Sequence, residues 1–405
     1  MKKILICIVV MIMLIPSTGF AAENAAQDST DGSQDAFGVS DGDFESALND
    51  TLFNTDLSGL QGKYSEYLEK ISGQNAADMI ADLSNGDFTS VSPGGVLAAV
   101  LGQFLYGIRD NIPIMVQILA ILLIMSILKQ MTDNLGNNTQ SVSSAAYYVG
   151  YIIICSLIVS IVFSIFNTGR DVVQTVSTFT EYLTPILFTL LTAIGGFTSA
   201  SVLQPAITAF TGGVTQIITY YIFPALIVDM VFVLVGNLSS NMNLKGFSSL
   251  IDSVIKWSLG IIFIVFLGIV AIQGAGAGLF DGISIRTAKY TISESVPIVG
   301  GMFSESIDTV VACSALVKNA VGITGLLIIV AIILTPAINL IINIFLFKIL
   351  SAISSPFSDK RSIEMIDGTS NVIVLLLVTV LTIGVMAFIL VGILMGVGNI
   401  NMMMR

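Results

Sequence analysis

AVGITGLLIIVAIILTPAINLIINIFLFKIL (Ala320–Leu350) is a run of 31 residues whose single charge, Lys348, stands near its far end. A helix needs about 20 apolar residues to cross a bilayer, so this run is too long for one straight crossing. Pro336 sits in its middle. A proline removes one helical hydrogen bond and crowds the preceding turn. The run is therefore either one tilted, kinked helix or a tight pair of half-helices. The rest of the chain has the same character. Of 405 residues, 54% are hydrophobic and 11% charged, against about 25% charged in a soluble domain, and the mean hydropathy is +0.91. Lipid must be the solvent. The fold class that follows is all-α, a polytopic helical membrane protein.

Outward from that run, further apolar stretches occupy Ile112–Leu128, Ala145–Phe166, Leu183–Leu203, Ala206–Val235, Val254–Ile272 and Asn371–Val397. About seven membrane runs result, some broken by proline or glycine. Ala206–Val235 contains Pro224 and shares the ambiguity of the opening run. Ahead of them, SPGGVLAAVLGQFLYGIRDN (Ser92–Asn111) starts with Ser92 as a cap and Pro93 at the first helical position. Gln103, Arg109 and Asp110 interrupt its apolar side, which suits an interfacial or partly inserted helix. An offset of 112 residues carries Pro185 onto Pro297, Pro224 onto Pro336 and Gly213 onto Gly325. Two structural copies, 145–256 and 257–368, would explain it; so would coincidence among few prolines.

The N-terminal part has a different composition. Lys2 and Lys3, the apolar Ile4–Ile15 and the small residues up to Ala22 form a signal peptide over 1–22, either cleaved near Ala21 or Ala22 or retained. Ala22–Gly95 holds 14 acids and 2 bases, whereas the remainder from Val96 holds 13 acids and 12 bases. The net charge of −11 thus belongs to the exported arm. No basic face exists to neutralise phosphates, so a nucleic-acid partner is not expected. Residues 23–58, rich in Asp, Asn, Ser and Gly, read as a flexible acidic linker. Across 59–92, Leu60, Tyr64, Tyr67, Leu68 and Ile71 share one helical face, and Met79, Ile80 and Leu83 share another behind a cap at Asn75. These short amphipathic helices could dock on a partner or lie on lipid headgroups. Residues 93–405 form the polytopic domain.

The chain has no histidine, which removes His-based triads and HExxH zinc sites, and no G-x-x-x-x-G-K-[ST] phosphate loop. No catalytic residue, cofactor or metal site is expected, and the protein is not expected to be an enzyme. Cys155 and Cys313 read as small apolar packing residues. Asp229, in IFPALIVDMVFVLVG, is the clearest intramembrane charge. Aspartate is too short to reach the surface from mid-helix, so it either couples or conducts an ion or forms a structural pair with Lys256, Lys348 or Arg286.

One stretch breaks the apolar pattern: GISIRTAKYTISESVPIVGGMFSESIDTVVA (Gly282–Ala312). Arg286 and Lys289 give a basic side to a first short helix. Pro297, Gly300 and Gly301 mark a break, and Glu305 and Asp308 line a second helix. This helix–break–helix is either a re-entrant hairpin or two helices on the membrane surface. The preceding GAGAG (Gly274–Gly278) marks a change of chain direction. These seven residues are the candidate conduit or partner element.

The segment QGAGAGLFDGISIRTAKYTISESVPIVGGMFSESIDTVVACSALVKNAVGITG (Gln273–Gly325) resembles the signature region of the stage III sporulation protein AE family, and the ending GNINMMMR resembles that family's C-terminus. The resemblance implies a multi-pass protein of endospore-forming bacteria, placed in the mother-cell-derived membrane around the engulfed forespore. It implies a platform or conduit role in a channel or secretion-like assembly that sustains the forespore after engulfment. The implied partners are the other stage III A-operon membrane, ring-forming and ATPase proteins, and directly or indirectly the forespore protein Q. No catalytic residue is transferred. An autonomous transporter or ion channel using Asp229 is the alternative.

Overall fold

The computed structural model describes residues 64, 66, 67, 69, 76–84, 93–133, 140–237, 244–295 and 300–403. The expected signal peptide and acidic linker lie outside them. All regular structure among the described residues is helical, as a lipid solvent demands of a backbone that must satisfy its own polar groups. The helices are α1 (Ala76–Ser84), α2 (Pro93–Asp133), α3 (Gln140–Ala193), α4 (Phe197–Thr208), α5 (Thr215–Ile217), α6 (Phe223–Gly236), α7 (Lys245–Ser295), α8 (Gly300–Ser354) and α9 (Lys360–Met403). Two π-helical turns, Ala209–Val214 and Ile218–Ile222, weld α4, α5 and α6 into one run.

Six stretches are long and apolar enough to cross a membrane: Leu101–Ile127, Tyr148–Ala193, Phe197–Gly236, Lys245–Gln273, Thr309–Ser354 and Lys360–Val397. The chain is a polytopic all-α membrane protein. The difference from seven runs has a local cause. Leu183–Leu203 is split between α3 and α4 at Gly195, whose φ of 85° only glycine adopts freely. The Gly195 and Gly196 N–H groups donate to the Thr192 and Leu191 carbonyls, both at 2.9 Å, and so close the end of α3. Pro185, near the start of that run, and Pro205, just past its end, are accommodated inside α3 and α4.

Other expected breaks are also absorbed. The interfacial segment after Pro93 continues through Pro113 into the first apolar run as a single α2. α8 passes Pro336 unbroken, which decides for one helix over a pair of half-helices. Pro224 lies in the first turn of α6, directly after a π turn. α7 runs through Gly274–Gly278 to Ser295 without the change of direction expected there. In a medium without competing water, a glycine inside a helix keeps its internal hydrogen bonds because nothing else offers to replace them. The boundary between the two proposed repeat copies, 256/257, falls inside α7.

α8 and α9 form the centre of the bundle. In each, 61% of the most apolar window is buried, against 22% for α7 and 28% for α2 on the outside. They are antiparallel: Lys318 reaches Met395, and Lys348 reaches Asp367. Small residues let them approach, since a Cβ on Gly322 would stand 2.9 Å from the Met395 sulfur. α3 packs on both, with Gly325 beneath Leu183 and Gly169 beside Leu376. α6 and α7 form an antiparallel pair that Phe232 and Phe247 stack across at 5.8 Å.

The N-terminal arm docks on this bundle. Tyr64 is buried, its ring edge-on to Phe179 at 4.8 Å and tilted to Tyr182 at 6.1 Å. Met79, Ile80 and Leu83 of α1 are buried as well, and α1 lies against α8. A nine-residue helix is not stable alone. Burying each of these side chains contributes about 2 kcal/mol before ordering costs, so the bundle is what makes α1 a helix.

Candidate functional site

Ionisable groups gather at one end of the bundle, where α6 and α8 finish and α7 and α9 begin. Asp229 in α6 is fully buried. The Ser248 hydroxyl of α7 donates to its Oδ1 at 2.6 Å, while Oδ2 has no hydrogen-bond partner. Ser248, Asp252 and Lys256 follow one another at four-residue spacing and so share one face of α7. Asp252 and Lys256 are both close enough to act electrostatically on Asp229. Lys256 is paired with Asp252 at 3.3 Å, not with Asp229.

Of the other two basic residues expected near Asp229, Arg286 has its side chain outside the described residues and Lys348 is engaged elsewhere. Lys348 donates to Asp367 Oδ1 at 2.5 Å and to Asn371 Oδ1 at 3.5 Å, tying α8 to α9. Lys245 pairs with Glu364 at 2.5 Å, tying α7 to α9. These two pairs are well exposed and contribute about 0–1 kcal/mol each in stability. Among the described side chains the partner of Asp229 is thus the Ser248 hydroxyl, and neither Lys256 nor Lys348 pairs with it. Ser248 lies one turn inside α7, and nothing in the spacing 229 to 248 identifies it.

A second buried charge escaped the sequence reading. Lys318 of α8 is fully buried, and its Nζ donates to the Met395 carbonyl of α9 at 2.8 Å. Among the described residues no carboxylate pairs with it. The neighbouring Asn319 Oδ1 and Thr324 Oγ1 are buried without hydrogen-bond partners. The signal was available: a lysine inside the apolar run VACSALVKNAVG deserves the scrutiny given to an aspartate. Lys318 lies at the end of the bundle opposite Asp229, so the two charges do not form one centre.

The candidate element at 282–312 is divided between two long helices rather than forming a hairpin of short ones. Arg286 and Lys289 lie in the last part of α7, and Gly300, Gly301, Glu305 and Asp308 in the first turns of α8. Pro297 and the side-chain placement of the other six lie outside the described residues. α7 continues through Arg286 and Lys289 because both are good helix formers and no proline intervenes before 297. Among the described residues, no three His, Cys, Asp or Glu side chains converge as metal ligands would.

Fold and charges together define a multi-pass helical membrane protein with buried single charges and a docked N-terminal arm. The chain belongs to the family described as Stage III sporulation protein AE, which matches residues 74–398. It is 27% identical over 326 residues to the Stage III sporulation protein AE of Bacillus subtilis (strain 168), covering 80% of this chain and 81% of that one. No solved structure matches it. The family assigns the protein to sporulation.

Proposed function

We propose that this protein is a non-catalytic, membrane-embedded platform or conduit subunit of an assembly joining mother cell and forespore after engulfment. The observation that carries this reading is the length of its helices. α8 has 55 residues and extends about 80 Å at 1.5 Å per residue, whereas the hydrocarbon core is about 30 Å thick. Such helices build structure beyond the bilayer. The arm is clasped to the half of the bundle away from Lys245, Lys348, Lys360 and Arg361. On this reading the signal-like N-terminus exports the arm, so the arm's half faces the space between the two membranes. A surface there suits the ring-forming proteins of the stage III A operon and the forespore protein Q, with the separate ATPase on the cytoplasmic side. The membrane concerned is the mother-cell-derived one around the forespore.

The test is affinity isolation of the full-length chain from sporulating cells, paired with a forespore gene-expression reporter. The reading expects co-isolation of A-operon partners, and a reporter defect in variants that lose them. Normal forespore expression without any partner contact would refute it. The unpartnered Oδ2 of buried Asp229 favours a second reading, an autonomous transporter. That one expects solute uptake by vesicles holding this protein alone, abolished by Asp229→Asn.

A further inference from the structure

Asp229 is the one polar side chain of α6, FPALIVDMVFVLVG. It is 0% exposed, so its carboxyl meets only what neighbouring helices supply. α7 supplies a ladder at four-residue spacing: Ser248, Asp252 and Lys256. The Ser248 hydroxyl donates to Asp229 Oδ1 at 2.6 Å. The Asp252 side chain lies within hydrogen-bonding reach of Asp229 as well. Asp252 in turn accepts from Lys256 through its Oδ2 at 3.3 Å. No protein group donates to Asp229 Oδ2.

No lysine is left to neutralise Asp229. Lys245, Lys256 and Lys348 serve Glu364, Asp252 and Asp367. Arg286 lies about 55 Å along α7 from Ser248, at 1.5 Å per residue. The remaining groups beside α6 bring no charge to it. α9 approaches through Gly368 against Val233, with Glu364 and Asp367 already paired. From α3 the Tyr151 hydroxyl donates to the Leu234 carbonyl at 2.6 Å. In the π turn before α6, Tyr220 and Tyr221 point outward, 67% and 71% exposed.

A buried carboxylate without a counter-charge is costly, and two carboxylates that share a site do not both ionise. Something positive must therefore sit between Asp229 and Asp252. A hard metal cation asks for about six or more oxygens. Two carboxyls and one hydroxyl fall well short, and the surrounding helix carbonyls are taken by their own hydrogen bonds. A proton needs only one oxygen to carry it and one to accept it.

We propose that Asp229 and Asp252 form a proton-binding site, in which Asp229 Oδ2 carries the proton and donates it to the Asp252 carboxylate. Ser248, protonated Asp229, ionised Asp252 and Lys256 then make one hydrogen-bonded chain of zero net charge joining α6 to α7. Lys256 and Asp252, with side chains 59% and 26% exposed, connect the site to the outside. The proposal is independent of what the assembly carries. The experiment takes infrared spectra of the full-length protein in detergent, with aspartate labelled by carbon-13 at the side-chain carboxyl. At neutral pH the unaltered chain should show the carbonyl band of a protonated aspartic acid, shifted by the label and lost in Asp229→Asn. Asparagine keeps the shape and can donate to Asp252 through its amide, so Asp229→Asn should melt with the unaltered chain and above Asp229→Ala. On raising the pH, the unaltered chain should lose the band and part of its Tm together. Absence of the band at neutral pH in the unaltered chain would overturn the proposal, whatever the variants do. If, in addition, sodium chloride raised the Tm above that in choline chloride, and Asp229→Asn abolished the difference, the site would hold a metal cation instead.

Discussion

Truncating Tyr64 tests whether the arm is part of the folded unit. Tyr64 is 5% exposed and meets Phe179 edge-on. Truncating a buried aromatic to alanine costs about 3–5 kcal/mol, and the arm's shallow site justifies about 3. Every 1.4 kcal/mol is tenfold, so Tyr64→Ala should raise the undocked fraction by roughly a hundredfold. Tyr182 is half exposed and touches Tyr64 only at 6.1 Å; its loss should cost about 1 kcal/mol, the value of one aromatic pair. Limited proteolysis of intact protein in detergent reads the outcome as cleavage rate between 84 and 93. The expected order is Tyr64→Ala far above Tyr182→Ala, and that slightly above the unaltered chain. Burial, then the nearby Tyr182, Tyr67 and Glu181, raise the Tyr64 phenol above its ordinary value of 10.0. The docked arm thus favours the protonated phenol. Docking is complete below that value and weakens as pH climbs through the raised one. Equal cleavage in all three proteins, at every pH, would refute the docked arm.

Lys318→Met should leave the fold as stable or more so, by up to about 4 kcal/mol, because a buried charge is exchanged for a thioether of similar length; a fall in Tm in detergent would contradict this. Gly325→Ala should destabilise by about 1–3 kcal/mol, since its Cβ would come 2.5 Å from a Leu183 methyl. Gly392→Ala, with open space around it, should gain about 0.5–1 kcal/mol from helix propensity, so the two melting shifts should have opposite signs. Gly300→Val and Pro297→Ala should lower spore yield more than Glu294→Gln, because the change of direction between α7 and α8 outweighs a peripheral charge; equal yields would sink that ranking.

The membrane class and most of the spans were legible because apolar runs report directly on solvent. Their boundaries were less so. Hydropathy treats Pro185, Gly195 and Pro205 alike as punctuation, yet only Gly195 turns the chain, and its φ is a tertiary outcome. The same limit governs the charges. Lys256 with Asp252 follows helical spacing and was open to reading, whereas Lys348 with Asp367 and Lys318 with Met395 depend on how α8 and α9 lie together. Asp229 stood out as an isolated carboxylate; its hydroxyl partner did not, because serine in an amphipathic helix start is unremarked.

The docked arm has a consequence for synthesis. Tyr64 and α1 leave the ribosome early, yet α8, one wall of their seat, starts 216 residues after Ser84. At about 5–20 residues per second the arm waits roughly 10–40 s before its seat exists. During that interval its apolar residues have no native neighbour, and whatever shields them must let go when α8 arrives. Closure of the arm is therefore among the last events in the protein's maturation, and it records that the membrane helices have come together.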